Sequence, residues 1–409
     1  MLASRIRYYL QKSKQAFRDG TFTERIARKL FWGTRAKLET TAAYFRLPLE
    51  DRRLDIEDGF ADHRSEISFD RDAEIAMIER LIAAYLKAKA DESGAAPPFV
   101  VRGLWAEWIQ INYQPLTDAI ASRDLDFLIR LLSNFAREQI AVGTGSCYDD
   151  VVIFKTSLTG KYYIKSVWCD YRNKLVDAGS SLAEIEYSNV GNPAGVPVDG
   201  RIISIETLRH AYNARTVAEI LRNIANASIV EIGGGFGGQA FQTIGRLRKI
   251  GNPAGKYFNF DIPEVLFIAS YFLLKSLPEH RIRLYGEGPI NDDDFDIGLF
   301  PHFAIDGLAD MSVDLVFNSH SFSEMEGSTA RHYLSIVERI CRHYFYHINH
   351  DFRLTFKEPN GDVSSNMLGS ELVPDEKGFS LVFKRPRVFG RPEDKPFKSF
   401  SYLYERVGQ

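Results

Sequence analysis

Hydrophobic positions change period along this chain, and the changes divide it. Between residues 70 and 142 apolar side chains recur at helical spacing. Ile75, Ile78, Leu81, Ile82 and Leu86 form one stripe, and others run through Leu104–Ile111, Leu116–Ile120 and Leu125–Phe135. Gly94 and Pro97-Pro98 break the first stripe, and Gly143-Thr144-Gly145 ends the helical stretch. Residues 151–168 then place Val-Val-Ile-Phe and Tyr-Tyr-Ile-Lys-Ser-Val-Trp on either side of Thr159-Gly160, which predicts a β-hairpin. Asn189–Gly195 is a turn-rich connector, followed by a helix at about 204–225. Strands and helices then alternate to about residue 350. The predicted strands are Ser228–Ile232, Lys256–Phe260, Ile282–Tyr285, Val313–Phe317 and Tyr344–Ile348, with a helix at about 238–249. Such alternation predicts an α/β fold: a parallel sheet covered on both faces. Phe379–Lys384 and Phe397–Tyr404 predict an antiparallel hairpin that closes it. The expected organisation is a basic segment over 1–65, a mainly helical region with the hairpin over 66–185, and the sheet domain over 186–409.

Composition changes this picture in a few places. With 45% hydrophobic and 26% charged residues among 409, a disordered chain is excluded. Residues 1–40 hold ten Lys or Arg against three Asp or Glu, a net of +7, which leaves −10 for the rest of a chain totalling −3. Leu2, Ile6, Tyr9, Leu10 and Phe17 lie there at roughly helical spacing, so the segment is either a solvated helix docked on the body or a weak membrane-surface contact. No apolar run is long enough for a membrane span, and Met1–Arg7 does not lead into a secretion signal. The expected location is cytoplasmic, with the membrane periphery open through residues 1–40. Cys147, Cys169 and Cys341 are far apart, which suggests a reducing compartment and no zinc site.

The chemistry concentrates at Glu231-Ile-Gly-Gly-Gly-Phe-Gly-Gly238. A predicted strand enters this loop and a predicted helix leaves it. Gly233, Gly235 and Gly238 fit the dinucleotide pattern G-x-G-x-x-G. Glu231 tilts the reading. A pyrophosphate wants helix N–H groups and no carboxylate beside it, whereas S-adenosylmethionine brings a cationic amino group and a sulfonium. The expected cofactor is therefore S-adenosylmethionine, with Glu231, Gly233, Gly234, Gly235 and Gly237 around it. The bland alternative is a Glu231 satisfied by loop N–H groups. Asp261 and Ile262 end the second strand, where a ribose diol would sit, although Asp261 could equally cap the helix that begins near Pro263.

The fourth strand opens into Asn318-Ser-His-Ser-Phe-Ser-Glu-Met325, at the end of a parallel sheet where ligands bind. Asn318 and Ser319 are expected near the cofactor. Methyl transfer to a hydroxyl needs a positioned base. His320 is the first candidate, Glu324 one helical turn on is its expected orienter, and His350 with Asp351 is the alternative. His347 reads as a core histidine. Asn291-Asp-Asp-Asp294 reads as a solvated acidic loop, and no metal is expected. Trp105, Trp108 and Tyr113 suit sugar stacking, but buried packing is the plainer reading. A nicotinamide-dependent oxidoreductase or epimerase would want a Tyr-x-x-x-Lys pair, which has no plausible place here. A non-catalytic relic would not need the glycine loop and its acids.

Together the glycine loop, Asp261-Ile-Pro-Glu-Val265, the 318–325 segment, the histidine-bearing fifth strand and the connector Val190-Gly-Asn-Pro193 resemble the sugar O-methyltransferase family. Its members are class I enzymes dependent on S-adenosylmethionine and associated with bacterial surface-polysaccharide clusters. The resemblance covers about 185–405. It implies a Rossmann-like, mostly parallel sheet with an antiparallel last strand, and methyl transfer to a sugar that is nucleotide-, lipid- or glycan-linked. A non-sugar acceptor stays open, and nucleic acid does not fit the acidic remainder of the chain. The helical region could form the acceptor pocket, a homodimer interface, or both.

Overall fold

The computed structural model describes residues 37–66, 70–357, 363–375, 377–390 and 399–407. The basic segment up to residue 36, with its helical stripe, lies outside them. Among the described residues no helix is long and apolar enough to cross a membrane.

Helices in the first part start where polar caps satisfy their free N–H groups. Asp70 accepts from Asp72 and Ala73 N–H to open α1 (Arg71–Glu92). After α2 (Gly103–Trp108) and α3 (Gln114–Ser122), Asp124 accepts from Phe127 N–H at α4 (Leu125–Leu132). The expected hairpin at 151–168 is absent. The structure instead has two helices, α5 (Tyr148–Thr156) and α6 (Leu158–Asp177), with Ser157 capping the second. In α6 the buried positions Tyr163, Ile164, Val167, Trp168, Tyr171 and Leu175 keep a helical period that β-branched and aromatic composition obscures. Gly160 is not a turn. A Cβ there would overlap the backbone carbonyl of Ile153, so glycine lets α6 press against α5. Gly160→Val is expected to destabilise the protein by about 1–3 kcal/mol through overpacking, read as a lowered midpoint in thermal unfolding.

From residue 205 the alternation holds. Helices α7 (Ile205–Ile220), α8 (Gly238–Lys249), α9 (Pro263–Ser276) and α10 (Gly327–Ile340) surround one main sheet. Its strands are β1 (Ser228–Ile232), β2 (Lys256–Asp261), β3 (Ile282–Leu284), β4 (Ile297–Pro301), β5 (Val313–Ser319), β6 (Cys341–His350), β7 (Phe379–Pro386) and β8 (Ser399–Arg406). The spatial order is β7-β8-β6-β5-β1-β2-β4-β3. Strands β1 to β6 run parallel where they pair, and the β7–β8 hairpin joins β6 antiparallel, as expected. Strand β4 was not among the expected elements; it separates β2 from the expected third strand. Gly298 depresses its strand character, yet a Cβ there would overlap the Phe300 ring, which fills the space.

Alternate residues of each central strand face opposite ways. Ile229, Leu315 and Phe317 join a core with α7, α8, α9 and the N-terminal helices, while Val230, Ile232, Val316 and Phe345 pack with α10. One buried cluster runs from Ile56 to Leu403. The helical part is thus packed onto the sheet, and its Gly143–Gly145 segment meets the glycine loop that follows β1, the strand paired with β5. Successive β-α crossovers reverse direction between those two neighbours, which opens a crevice there.

Candidate active site

At the end of β1 the chain must turn sharply between two walls. Gly233 (φ +74°) and Gly235 (φ +57°) adopt left-handed backbone. Side chains would also not fit. A Cβ on Gly233 would overlap Ser321 Oγ, and one on Gly235 would overlap the Thr144 carbonyl. That carbonyl accepts from Phe236 N–H at 3.2 Å. The loop is therefore clasped by the helical part on one side and the β5 tip on the other. Together these elements enclose a cavity of about 370 Å³.

Glu231, Gly233, Gly234, Gly235, Asp261, Ile262, Ser319, His320 and Glu324 all border this cavity. Gly237 does not; it precedes α8 as its N-cap residue. Asn318 lies beneath the floor. Its side chain donates to the Ile232 carbonyl at 2.9 Å and accepts from Asn349 Nδ2 at 2.8 Å, tying β5 to β1 and β6. His350 also lies outside the lining, with its ring stacked 3.6 Å from that of Phe352, and burial holds it down to about 4. His347 stands in an aromatic stack with Phe345 and Tyr402, as a core residue.

Glu231 is 3% exposed and accepts from Tyr257 OH at 2.8 Å, not from loop N–H groups. Burial pushes its carboxyl up to about 7 against the pull of that hydrogen bond. Asp261 does not cap α9, whose N-terminus has no side-chain cap. One oxygen accepts from Gly235 N–H and the other from Ile262 N–H, both at 2.8 Å. Burial pushes this carboxyl up to about 7 as well, against those two bonds. Asp261 thus fixes the glycine loop to the end of β2.

The β5 tip departs from expectation. Residues Ser321–Glu324 form a single 3₁₀ turn, and Glu324 does not orient His320. Glu324 instead accepts from Trp105 Nε1 at 3.1 Å, and burial pushes its carboxyl up to about 7. His320 takes φ +70°, unusual outside glycine. Arg387 Nη1 lies 3.0 Å from His320 Nε2. A guanidinium only donates, so Nε2 carries the accepting lone pair and the ring proton sits on Nδ1. Burial, reinforced by Arg387 and Arg209, holds this imidazole well below its usual range.

Several lining residues escaped the sequence reading: Arg102, Tyr148, Tyr171, Arg209, His210 and Arg387. The one local signal was the Gly143-Thr-Gly145 break. Of the three aromatics singled out, Trp105 borders the cavity, Trp108 packs against it with ring centroids 5.1 Å apart, and Tyr113 is fully buried. The acidic loop is ion-paired: Arg283 binds Asp292 and Asp294, and Lys256 binds Asp293. Among the described residues no group of three or more His, Cys, Asp or Glu is arranged to hold a metal.

No family model matches the sequence, and no curated protein matches it. Solved structures do. The magnesium protoporphyrin IX methyltransferase of Synechocystis with bound S-adenosylmethionine aligns with 49% of this chain and 81% of its own, at 12% identity and a TM-score of 0.32. A methyltransferase dependent on S-adenosylmethionine from Mesorhizobium loti aligns with 47% and 96%, at 12% identity and 0.31. The 4+2 cyclase SpnF aligns with 58% and 94%, at 13% identity and 0.34.

Proposed function

We propose that this chain is an S-adenosylmethionine-dependent methyltransferase that methylates a sugar hydroxyl in surface-glycan assembly. The observation that carries the reading is the wall of the cavity: two carboxyls, the buried Glu231 and the half-buried Asp261, flank a positive-φ glycine loop. The cavity falls in the size range of small-molecule sites. When bound, S-adenosylmethionine supplies an electrophilic methyl group on a cationic sulfur. Glu231 suits a cationic ligand, because a positive charge beside it offsets the cost of ionising a buried carboxyl. A pyrophosphate would meet the same carboxylate with repulsion, which disfavours a dinucleotide. Each Asp261 oxygen accepts one backbone N–H and has a second lone pair for a ribose hydroxyl.

Trp105, Tyr148 and Tyr171 also line the cavity, and aromatic faces are what a sugar ring packs against. Glu324, which accepts from Trp105, is the base of this reading: it takes the hydroxyl proton as the oxygen gains the methyl. With its lone pair already engaged by Arg387, His320 is the weaker base.

Isothermal titration of the purified chain tests the cofactor. Micromolar binding of S-adenosylhomocysteine is expected, with NAD silent and the affinity at least tenfold weaker in Asp261→Ala. Folded protein that ignores S-adenosylhomocysteine overturns the reading, and binding of NAD instead makes the loop a dinucleotide site.

A further inference from the structure

We propose that Asn366 and Asn349 are positioning residues of this site: they hold the Ser321–Glu324 turn by its backbone and so fix Glu324 at the cavity wall. This rests on the methyltransferase reading, with Glu324 as its base.

The turn needs holding. It opens at His320, whose φ of +70° and ψ of −30° lie outside the basins open to a residue with a Cβ. Such backbone persists only where its surroundings over-determine it. The closing bond of the turn itself, from Met325 N–H to the Phe322 carbonyl, is long at 3.4 Å. Bonds from outside do the fixing. His320 N–H donates to the Ile348 carbonyl at 2.7 Å, and the His320 carbonyl accepts from Ser323 Oγ at 2.9 Å. Ser323, fully buried, is then gripped on both sides. Its N–H donates to Asn349 Oδ1 at 3.1 Å, and its carbonyl accepts from Asn366 Nδ2 at 2.8 Å. The next residue along the chain is Glu324.

Both amides are buried and paired at either end. Asn349 Nδ2 donates to Asn318 Oδ1 at 2.8 Å. Asn366 Oδ1 accepts from Leu354 N–H at 2.8 Å, and its Nδ2 also donates to the Phe352 carbonyl at 3.0 Å. Each amide oxygen faces a backbone N–H, so neither amide can flip without opposing like groups. A fully satisfied buried network of this kind rigidifies what it touches. The two residues have different reach. Asn349 lies on β6 and, through Asn318, is linked to the Ile232 carbonyl just before the glycine loop. Asn366 lies 43 positions beyond Ser323 and ties the turn to residues 352 and 354. Loss of Asn366 should therefore disturb Glu324, whereas loss of Asn349 should disturb Glu324 and the cofactor loop together.

The test uses the full chain. Calorimetry ranks glucose, galactose, rhamnose and uridine diphosphate glucose on protein saturated with S-adenosylhomocysteine. Transfer of labelled methyl to the tightest binder is then followed at saturating cofactor from pH 5.5 to 9. Asn366→Ala should lower turnover at least tenfold, with S-adenosylhomocysteine affinity within threefold of wild type. A slack turn also loosens Glu324 from Trp105 Nε1, so turnover should need a higher pH to reach its plateau. A merely structural role would lower the thermal midpoint and leave both readouts in place. Asn349→Ala should lose turnover likewise and weaken S-adenosylhomocysteine at least threefold as well. If Asn366→Ala fails to fold, Ser323→Ala decides: it deletes one hydroxyl, keeps the backbone, and should lower turnover at least threefold. If none of the sugars is methylated, carbon-13 NMR titration of the Glu324 carboxyl, identified by its loss in Glu324→Gln, should show the same upward move. A folded Asn366→Ala with turnover within threefold of wild type, or with Glu324 titrating as in wild type, overturns the positioning role and leaves the methyltransferase reading standing. Failure of the wild type to bind S-adenosylhomocysteine overturns both.

Discussion

Gly235→Ala is expected to weaken S-adenosylhomocysteine binding at least thirtyfold, about 2 kcal/mol, while the protein still folds. Two costs combine at this position. The left-handed conformation at φ +57° costs a residue with a Cβ about 1–2 kcal/mol. The new methyl would also overlap the Thr144 carbonyl, a backbone atom that cannot swing aside. Relief requires the loop to shift, and the Gly235 N–H then leaves Asp261. The carboxylate expected to meet the ribose loses its orientation in the same step. Gly200→Ala separates the two costs. Gly200 has φ +75°, but a methyl added there would meet nothing within 4 Å, so it carries the conformational cost alone. Calorimetry with S-adenosylhomocysteine and thermal melts on both variants read the outcome. Binding by Gly235→Ala within threefold of wild type would mean that the ligand does not sit on this loop.

The same position shows what could be read from the chain and what could not. Strand β1, the loop and helix α8 are local features, because apolar runs, glycines and helical stripes are signals between near neighbours in sequence. Their bounds in the structure coincide with the expected Ser228–Ile232 and 238–249. The closing β7–β8 hairpin was legible for the same reason. Strand β4 was not, since Gly298 hides its character and only the fit against Phe300 accounts for the residue. The 151–168 segment failed differently: β-branched and aromatic residues suggested strands, while burial follows the helical period. Within the site, Glu231, Asp261 and Glu324 were visible as residues. Their partners were not. Tyr257 lies 26 positions from Glu231, and Trp105 lies 219 from Glu324. Contacts between such distant positions leave no pattern in one sequence. Arg209 and Arg387 were missed for that reason, and so was the true partner of His320.

Those distant partners set the sign of the second large effect, a fall of about 10²–10⁴ in turnover for Glu324→Gln. A carboxyl held up at about 7 is mostly protonated at pH 6 and mostly ionised at pH 8. As a base it works only when ionised, so turnover should rise with pH through about 7 and level off above it. Glu231 and Asp261 are also pushed up to about 7, so the limb alone does not identify its owner. Cofactor saturation separates them, because groups that hold the cofactor then act chiefly on KM. Trp105 gives a directional check. Its N–H stabilises the Glu324 carboxylate, so Trp105→Phe should move the limb to higher pH. The reaction is followed as transfer of labelled methyl to the sugar probe that binds most tightly, at saturating cofactor, from pH 5.5 to 9. Glu324→Gln should flatten the limb as well as lower the plateau. His320→Ala should keep the limb, since Nε2 is already engaged by Arg387. If His320→Ala removes the limb and Glu324→Gln leaves it, the proton goes to the histidine, and Arg387 must withdraw before each turnover.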